Sequence, residues 1–164
     1  MYLTLSSYED KLKYYSILRL FMQPVCNEMG IYTLILRLEK AIQIEVGSLG
    51  AIEFARGYYC YTGSAQGPGG LKRVDRHLQV LNRIRSTRHW HIDYLLPNTC
   101  FQEVFITKTV VDLECEIAKS ISRKLKPTKS FGCTDCHCIS HLHYSEDLNE
   151  MREIVRLSHN SQDY

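Results

Sequence analysis

In the stretch "LKRVDRHLQVLNRI", Arg73 and His77 are four residues apart, which puts both on one face of a helix. That face lies beside the apolar stripe of Leu71, Val74, Leu78 and Leu81. An arginine presented to a cleft stabilises charge growing on a phosphorane, and a histidine one turn on can move or orient a proton. The plain alternative is an exposed basic pair. A second candidate lies in "DLECEIAKSISRKL". At about 100° per residue, Leu113, Ile117, Ala118, Ile121 and Leu125 gather on one side, with Glu114 in their midst and Glu116 opposite, facing solvent. A carboxylate on a buried face is costly unless it is paired or holds a cation. Glu114 is therefore either the partner of a core arginine or a ligand for a divalent metal.

Between a tyrosine-rich segment and the Arg73 helix runs "GSAQGPGG". No Gly-Lys-Ser/Thr closes it as in a P-loop, and it lacks the spacing of a dinucleotide fingerprint. Its backbone amides can still hold a phosphate. Gly63 and Ser64 at its start, with Lys72 and Arg76 beyond it, are the candidate contacts to such a group. In "GYYCYT", strand alternation places Tyr59 and Tyr61 on one face and Tyr58 on the other. The chain has eleven tyrosines, and tyrosine is a good strand former, so on pattern alone these are packing residues.

A third cluster is "CTDCHCISHLH", with Cys133, Cys136, Cys138, His141 and His143. Cys-x2-Cys and Cys-x2-His are each half of a tetrahedral zinc site. Only His137 separates the two halves, so one half could instead use a remote ligand such as Cys100 or His91. The alternatives are reduced thiols packed in a tight loop, or a redox pair, although nothing like a thioredoxin βαβ unit precedes it. Asp135 and His137 are near enough in sequence to reach a cleft formed by the other candidates.

The elements that must position these groups read as strands first and helices mostly afterwards. "IYTLILRL" is a buried strand, "EK" a tight turn, and "AIQIEV" an alternating strand. "GSLG" breaks the chain before the "GYYCYT" strand, and "HWHIDYLL" is a short buried helix stopped by Pro97. "QEVFIT" is a strand, 112–125 a helix ended by Pro127, and 131–144 a loop. "SEDLNEMREIVRL" opens with a serine cap and two acids, as a helix N-terminus favours. The expected fold class is α/β (α+β), with a small, mainly antiparallel central sheet flanked by helices. One domain spans 29–158, and 1–28 is a helical extension, its helix at 8–23, with alternative starts at Met22 and Met29.

At 164 residues, 45% hydrophobic and 23% charged, the chain has the size and composition of one soluble domain. No run approaches the ~18 apolar residues of a membrane span, and the first residues do not form a secretory signal, so the expectation is a cytoplasmic protein with reduced thiols. The net charge of +2 announces no partner, but its distribution is uneven. Six Lys/Arg lie between Lys72 and Arg88 against the single acid Asp75, and Lys119, Arg123, Lys124, Lys126 and Lys129 form a second group. Both groups are either solvated helix faces or surfaces for an anionic partner.

Taken in order, "GIY" at 30–32, "YTG" at 61–63, the Arg73-x3-His77 helix and the inward Glu114 resemble the motif set of the GIY-YIG nuclease superfamily. In detail, "GIYTL", "GYYCYTGSA", "HWHIDYLL" and "FGCTDCHCISHL" are similar to an archaeal and bacterial branch, DUF123, described as GIY-YIG-like. The resemblance implies a DNA phosphodiesterase using one Mg²⁺ or Mn²⁺. Tyr32 would activate or position the attacking water, Tyr61 would contact the reacting phosphate, Arg73 would stabilise the phosphorane, His77 would assist proton transfer, and Glu114 would hold the metal. The expected partner is DNA, with a protein partner or second protomer supplying specificity. The chain departs from the superfamily in the extra strand between the tyrosine motifs, in the lengthened glycine turn, and in lacking a match for the asparagine some members carry after the glutamate. A non-catalytic nucleic-acid-binding module of the same fold, or a small zinc or thiol protein whose tyrosines are only core, are the competing readings.

Overall fold

Strand β1 (Gly30–Leu38) is buried along almost its whole length, because both of its faces are covered. Its even-numbered residues, Tyr32, Leu34, Leu36 and Leu38, enter one apolar cluster, while Ile31 and Ile35 enter another. This explains a nearly unbroken apolar run where a one-sided strand would alternate. The computed structural model describes residues 28–161. The helix expected at 8–23 lies outside the described residues.

In chain order the elements are β1, β2 (Ile42–Glu45), β3 (Ala51–Phe54), β4 (Gly57–Ser64), α1 (Lys72–Leu81), α2 (Ile92–Leu95), β5 (Cys100–Lys108), α3 (Glu114–Ser122), β6 (Lys126–Pro127), β7 (Leu142–Ser145) and α4 (Leu148–Asn160). The main sheet has the order β5-β1-β4-β7-β6, antiparallel at every pairing. Helices α1 and α2 lie on the Tyr32 face, and α3 and α4 on the Ile31 face. The fold is α+β, as the sequence pattern implies.

The tight "EK" turn does not join β1 to β2 as a hairpin. Among the described residues β2 pairs only with β3, a strand absent from the sequence reading, in a separate two-stranded ribbon. β1 instead pairs with β4 and β5. Long apolar β1 gains more by lying between two strands than beside the short, exposed β2. Helix α3 is shorter than 112–125, and the segment 131–144 is not all loop, since β7 begins at Leu142. The cap of α4 is Asp147 rather than a serine. Its Oδ1 accepts from the amides of Asn149 (2.7 Å) and Glu150 (3.2 Å). Ser145 braces this cap, accepting from the Asp147 amide and donating to Glu150 Oε2 at 2.7 Å.

Candidate functional site

The register of β1 against β4 sets Tyr32 directly opposite Gly63 and Leu34 opposite Tyr61. A Cβ at position 63 would overlap the Tyr32 hydroxyl and Cζ, so the phenol ring lies where a side chain would otherwise stand. Gly63 therefore acts by leaving room. Beyond β4, Gly69 and Gly70 take φ of 90° and 53°, turning the chain into α1. That turn brings Arg73 back over the end of β4, where its guanidinium donates to the Ser64 carbonyl.

These elements enclose a cavity of about 340 Å³ lined by Tyr32, Tyr61, Gly63, Ser64, Arg73 and Glu114, together with His89, Trp90, His91, Asp112, Gly132, Thr134 and Asp135. Four distant segments that the sequence nominated thus meet at one opening. His77 lies immediately behind it. Its Nε2 is 2.8 Å from the Tyr32 hydroxyl, and its ring has no exposure. The exposed basic pair considered for Arg73 and His77 is therefore wrong. Helix α1 turns His77 inward with Val74 and Leu78, and Arg73 is half-buried at the cavity wall.

Behind His77 stands a residue that sequence reasoning missed. Asp93, from α2, is fully buried, with Oδ1 3.3 Å from His77 Nδ1. Its two oxygens also take a two-pronged pair from Arg76 (3.0 and 2.8 Å) and the amides of His89 (2.7 Å) and Trp90 (3.1 Å). Burial would raise this carboxyl, but the nearby His77 ring and the hydrogen bonds from Arg76 and the two amides hold it well below the usual carboxylate range. Asp93 is thus an anion. The signal was present: an acid inside "HWHIDYLL" poses the same problem that singled out Glu114. Burial pushes His77 below its ordinary value despite Asp93, so the ring is neutral at pH 7. With Nδ1 turned to a carboxylate, its proton belongs on that nitrogen, and Nε2 accepts from the Tyr32 hydroxyl.

Burial, with Tyr61 next in weight, raises the Tyr32 phenol well above its usual value, and burial and Glu114 raise Tyr61. Both are neutral hydroxyls. Tyr59, on the same face, donates to the Ala55 carbonyl and belongs to the core, as its pattern implied. Trp90 is flanked by the guanidiniums of Arg73 (4.8 Å) and Arg76 (4.3 Å from the ring centre). Arg76 is committed to Asp93 and does not line the cavity; nor does the exposed Lys72. The Ser64 amide donates to Glu114 Oε1 at 3.0 Å and so is not open to an anion.

Glu114 meets no core arginine, and its side chain keeps 22% exposure at the cavity wall. Its Oε1 receives Ser64 N–H and faces His141 Nδ1 at 3.3 Å, and no bond to its other oxygen occurs among the described residues. Glu114 shares the cavity wall with Asp112 and Asp135, and carboxylates are the groups that hard divalent cations take as ligands.

The cysteine cluster is assembled differently from its expected form. Cys136, Cys138 and His141 come together with Cys115 of α3, their ligand atoms all within 4.8 Å of one another. Cys133 is buried beside this group but not in it: its carbonyl accepts from the Cys136 amide, and burial followed by the Cys136 charge raises its thiol. The remote partner is therefore neither Cys100, which is exposed on β5, nor His91, whose Nδ1 accepts from the Gly132 amide at 3.0 Å. Asp135 reaches the cavity and His137 does not.

Comparison with curated proteins and with solved structures gives no match. A family model does match, over residues 31–163, which takes in β1, the cavity and the cysteine cluster alike. The chain belongs to the family described as domain of unknown function DUF123.

Proposed function

We propose that this protein is a divalent-metal-dependent endonuclease of the GIY-YIG type that hydrolyses DNA phosphodiester bonds. The observation that carries the reading is the meeting of Tyr32, Tyr61, Arg73 and Glu114 at one polar cavity, with the neutral His77 and anionic Asp93 aligned behind Tyr32. Glu114, with Asp112 and Asp135 nearby, would hold Mg²⁺ or Mn²⁺, which when bound polarises the scissile phosphate and eases departure of the leaving oxygen.

The chain's own groups supply the rest. Tyr32 is too weak an acid to be a phenolate at neutral pH, so it relays a proton. Its oxygen accepts from the attacking water as its hydrogen passes to His77 Nε2, and Asp93 stabilises the imidazolium that results. Arg73, anchored on Ser64 and stacked on Trp90, faces charge that develops only in the transition state. Tyr61 donates its hydroxyl toward the phosphate region. The exposed lysines and arginines of 72–88 and 119–129 offer a duplex its backbone contacts.

The test is incubation of the full chain with labelled duplex, single-stranded, flap and junction DNA plus Mg²⁺ or Mn²⁺, beside the Glu114→Gln variant. Metal-dependent cutting by the wild type only supports the reading. Binding without cutting by both proteins replaces it with the recognition module, and cutting that survives the substitution removes Glu114 from the site.

A further inference from the structure

The segment 132–140 has no apolar side chain reaching the core except Cys133, and it contains neither helix nor strand. Its backbone bonds are few: Ser130 N–H to the Ile139 carbonyl across its base, Gly132 N–H to His91 Nδ1 at 3.0 Å, and a long Cys136 N–H to Cys133 carbonyl at 3.5 Å. Yet it places Thr134 and Asp135 on the cavity wall. Something other than burial must fix it. The side chains it turns toward the start of α3 are two thiols, and they meet a third there.

We propose that Cys115, Cys136, Cys138 and His141 bind one zinc ion, and that His141 uses its other ring nitrogen to hold the Glu114 carboxylate. Three thiolates and one imidazole form a recognised structural zinc set, and soft sulfur ligands disfavour Mg²⁺ or Ca²⁺. Zinc bonds of about 2.3 Å to sulfur and about 2.0–2.1 Å to nitrogen imply tetrahedral S–N edges of roughly 3.6 Å. The observed distance from Cys136 Sγ to His141 Nε2 is 3.5 Å. The widest separation in the group is within 4.8 Å, so closure around an ion needs contraction by about 1 Å, within reach of side-chain rotation. Zinc with three thiolates carries one net negative charge, and the charge of Lys119, one turn along α3 from Cys115, favours the Cys138 thiolate.

Metal on Nε2 dictates the His141 tautomer. The proton must reside on Nδ1, the atom 3.3 Å from Glu114 Oε1. The arrangement is a carboxylate–histidine–metal chain, in which the outer carboxylate strengthens the imidazole as a ligand and is itself held in one orientation. The zinc site would then clamp the 132–140 segment onto α3 and steady the acid at the cavity. This inference stands whether or not the cavity cuts DNA.

The test begins with metal analysis of the full chain purified without added chelator. One zinc per chain is expected, and none, or a disulfide within the cluster, overturns the proposal. Replacement by cobalt(II) should give the intense visible bands of a tetrahedral ion and a charge-transfer absorption scaled to three thiolates. A two-thiolate spectrum also overturns it, and this reading needs no variant to fold. Cys115→Ser should reduce bound zinc at least tenfold, whereas Cys133→Ser should retain it fully; the reverse pattern would restore the cluster suggested by sequence spacing and sink this one. Glu114→Ala should weaken zinc about 10–100-fold in competition with a chromogenic chelator, and Glu114→Gln, which keeps an acceptor for His141, should weaken it less. Unchanged affinity in Glu114→Ala would disprove the link between the two sites.

Discussion

The Tyr32 hydroxyl and His77 Nε2 meet at 2.8 Å across 45 residues of chain, sealed between β1 and α1. Because the contact is buried, both partners lose by its removal. Tyr32→Phe should fold, with a stability loss of about 1 kcal/mol and a melting temperature lower by about 2–4 °C. On the proposed reading, cleavage should fall on the order of 10²–10⁴-fold, the usual yield of positioned proton transfer. Single-turnover assays beside a melting curve separate the two effects. An active Tyr32→Phe protein would show that this hydroxyl carries no proton.

Gly63→Ala should cost about 1–3 kcal/mol by forcing a methyl group into the Tyr32 ring. In a Tyr32→Leu background the same change should be close to neutral, because the obstructing ring is gone. A denaturant-based double-mutant cycle measures the coupling. Additive losses would mean that Gly63 serves backbone geometry alone.

Asp93→Asn should destabilise the fold by about 3 kcal/mol, since it leaves the Arg76 guanidinium without its anion. The pH dependence gives a sharper reading. Asp93 is depressed in the folded chain, so its contribution is complete above the ordinary carboxylate range and fades as pH falls below about 4. Urea titrations should show the variant's loss shrinking in strong acid. A loss independent of pH down to unfolding would mean that shape, not charge, is what Asp93 provides.

His159 should govern a different window. From the end of α4 it reaches back to β1 and β5, with Nε2 2.8 Å from Thr33 Oγ1 and Nδ1 2.8 Å from Thr107 Oγ1. Burial lowers it to about 4. The unfolded chain takes up this proton near pH 6.5 and the folded chain does not, so stability should decline as pH falls from about 6.5 to about 4, by on the order of 3 kcal/mol at most. His159→Gln should make that limb shallower without abolishing it, since burial lowers His143 to about 4 as well. A slope equal to wild type would assign it to other groups.

How much of this was legible beforehand follows from the reach of each signal. The buried face of α3, the strand alternation of Tyr59 and Tyr61, and the inward Glu114 are local periodicities, and they survive folding. The convergence of Tyr32, Tyr61, Arg73 and Glu114 was approached through motif order, which carries spatial information that spacing lacks. What spacing could not supply was pairing across the fold. Cys133 was favoured over Cys115 because Cys-x2-Cys is visible in one dimension, whereas Cys115 becomes a neighbour of Cys136 only once α3 crosses the loop. Likewise the turn after β1 implied a hairpin with β2, because nothing local records that β4 and β5 compete for the same edges. Asp93 differs, because an acid within the short buried helix of "HWHIDYLL" must be paired, and that requirement is local.

The two-sided burial of β1 has a consequence for how such a chain can vary. Even-numbered residues serve the cavity side and odd-numbered ones the α3–α4 side, so inserting or deleting one residue would send Tyr32 to the wrong layer and bring Ile31 or Thr33 to the opening. This strand can accept substitutions but not indels. Changes of length should instead collect in the 39–56 excursion, whose ribbon, among the described residues, pairs only with itself and sets no register in the main sheet. The β2–β3 ribbon between the Tyr32 and Tyr61 strands thus sits where the architecture tolerates added length.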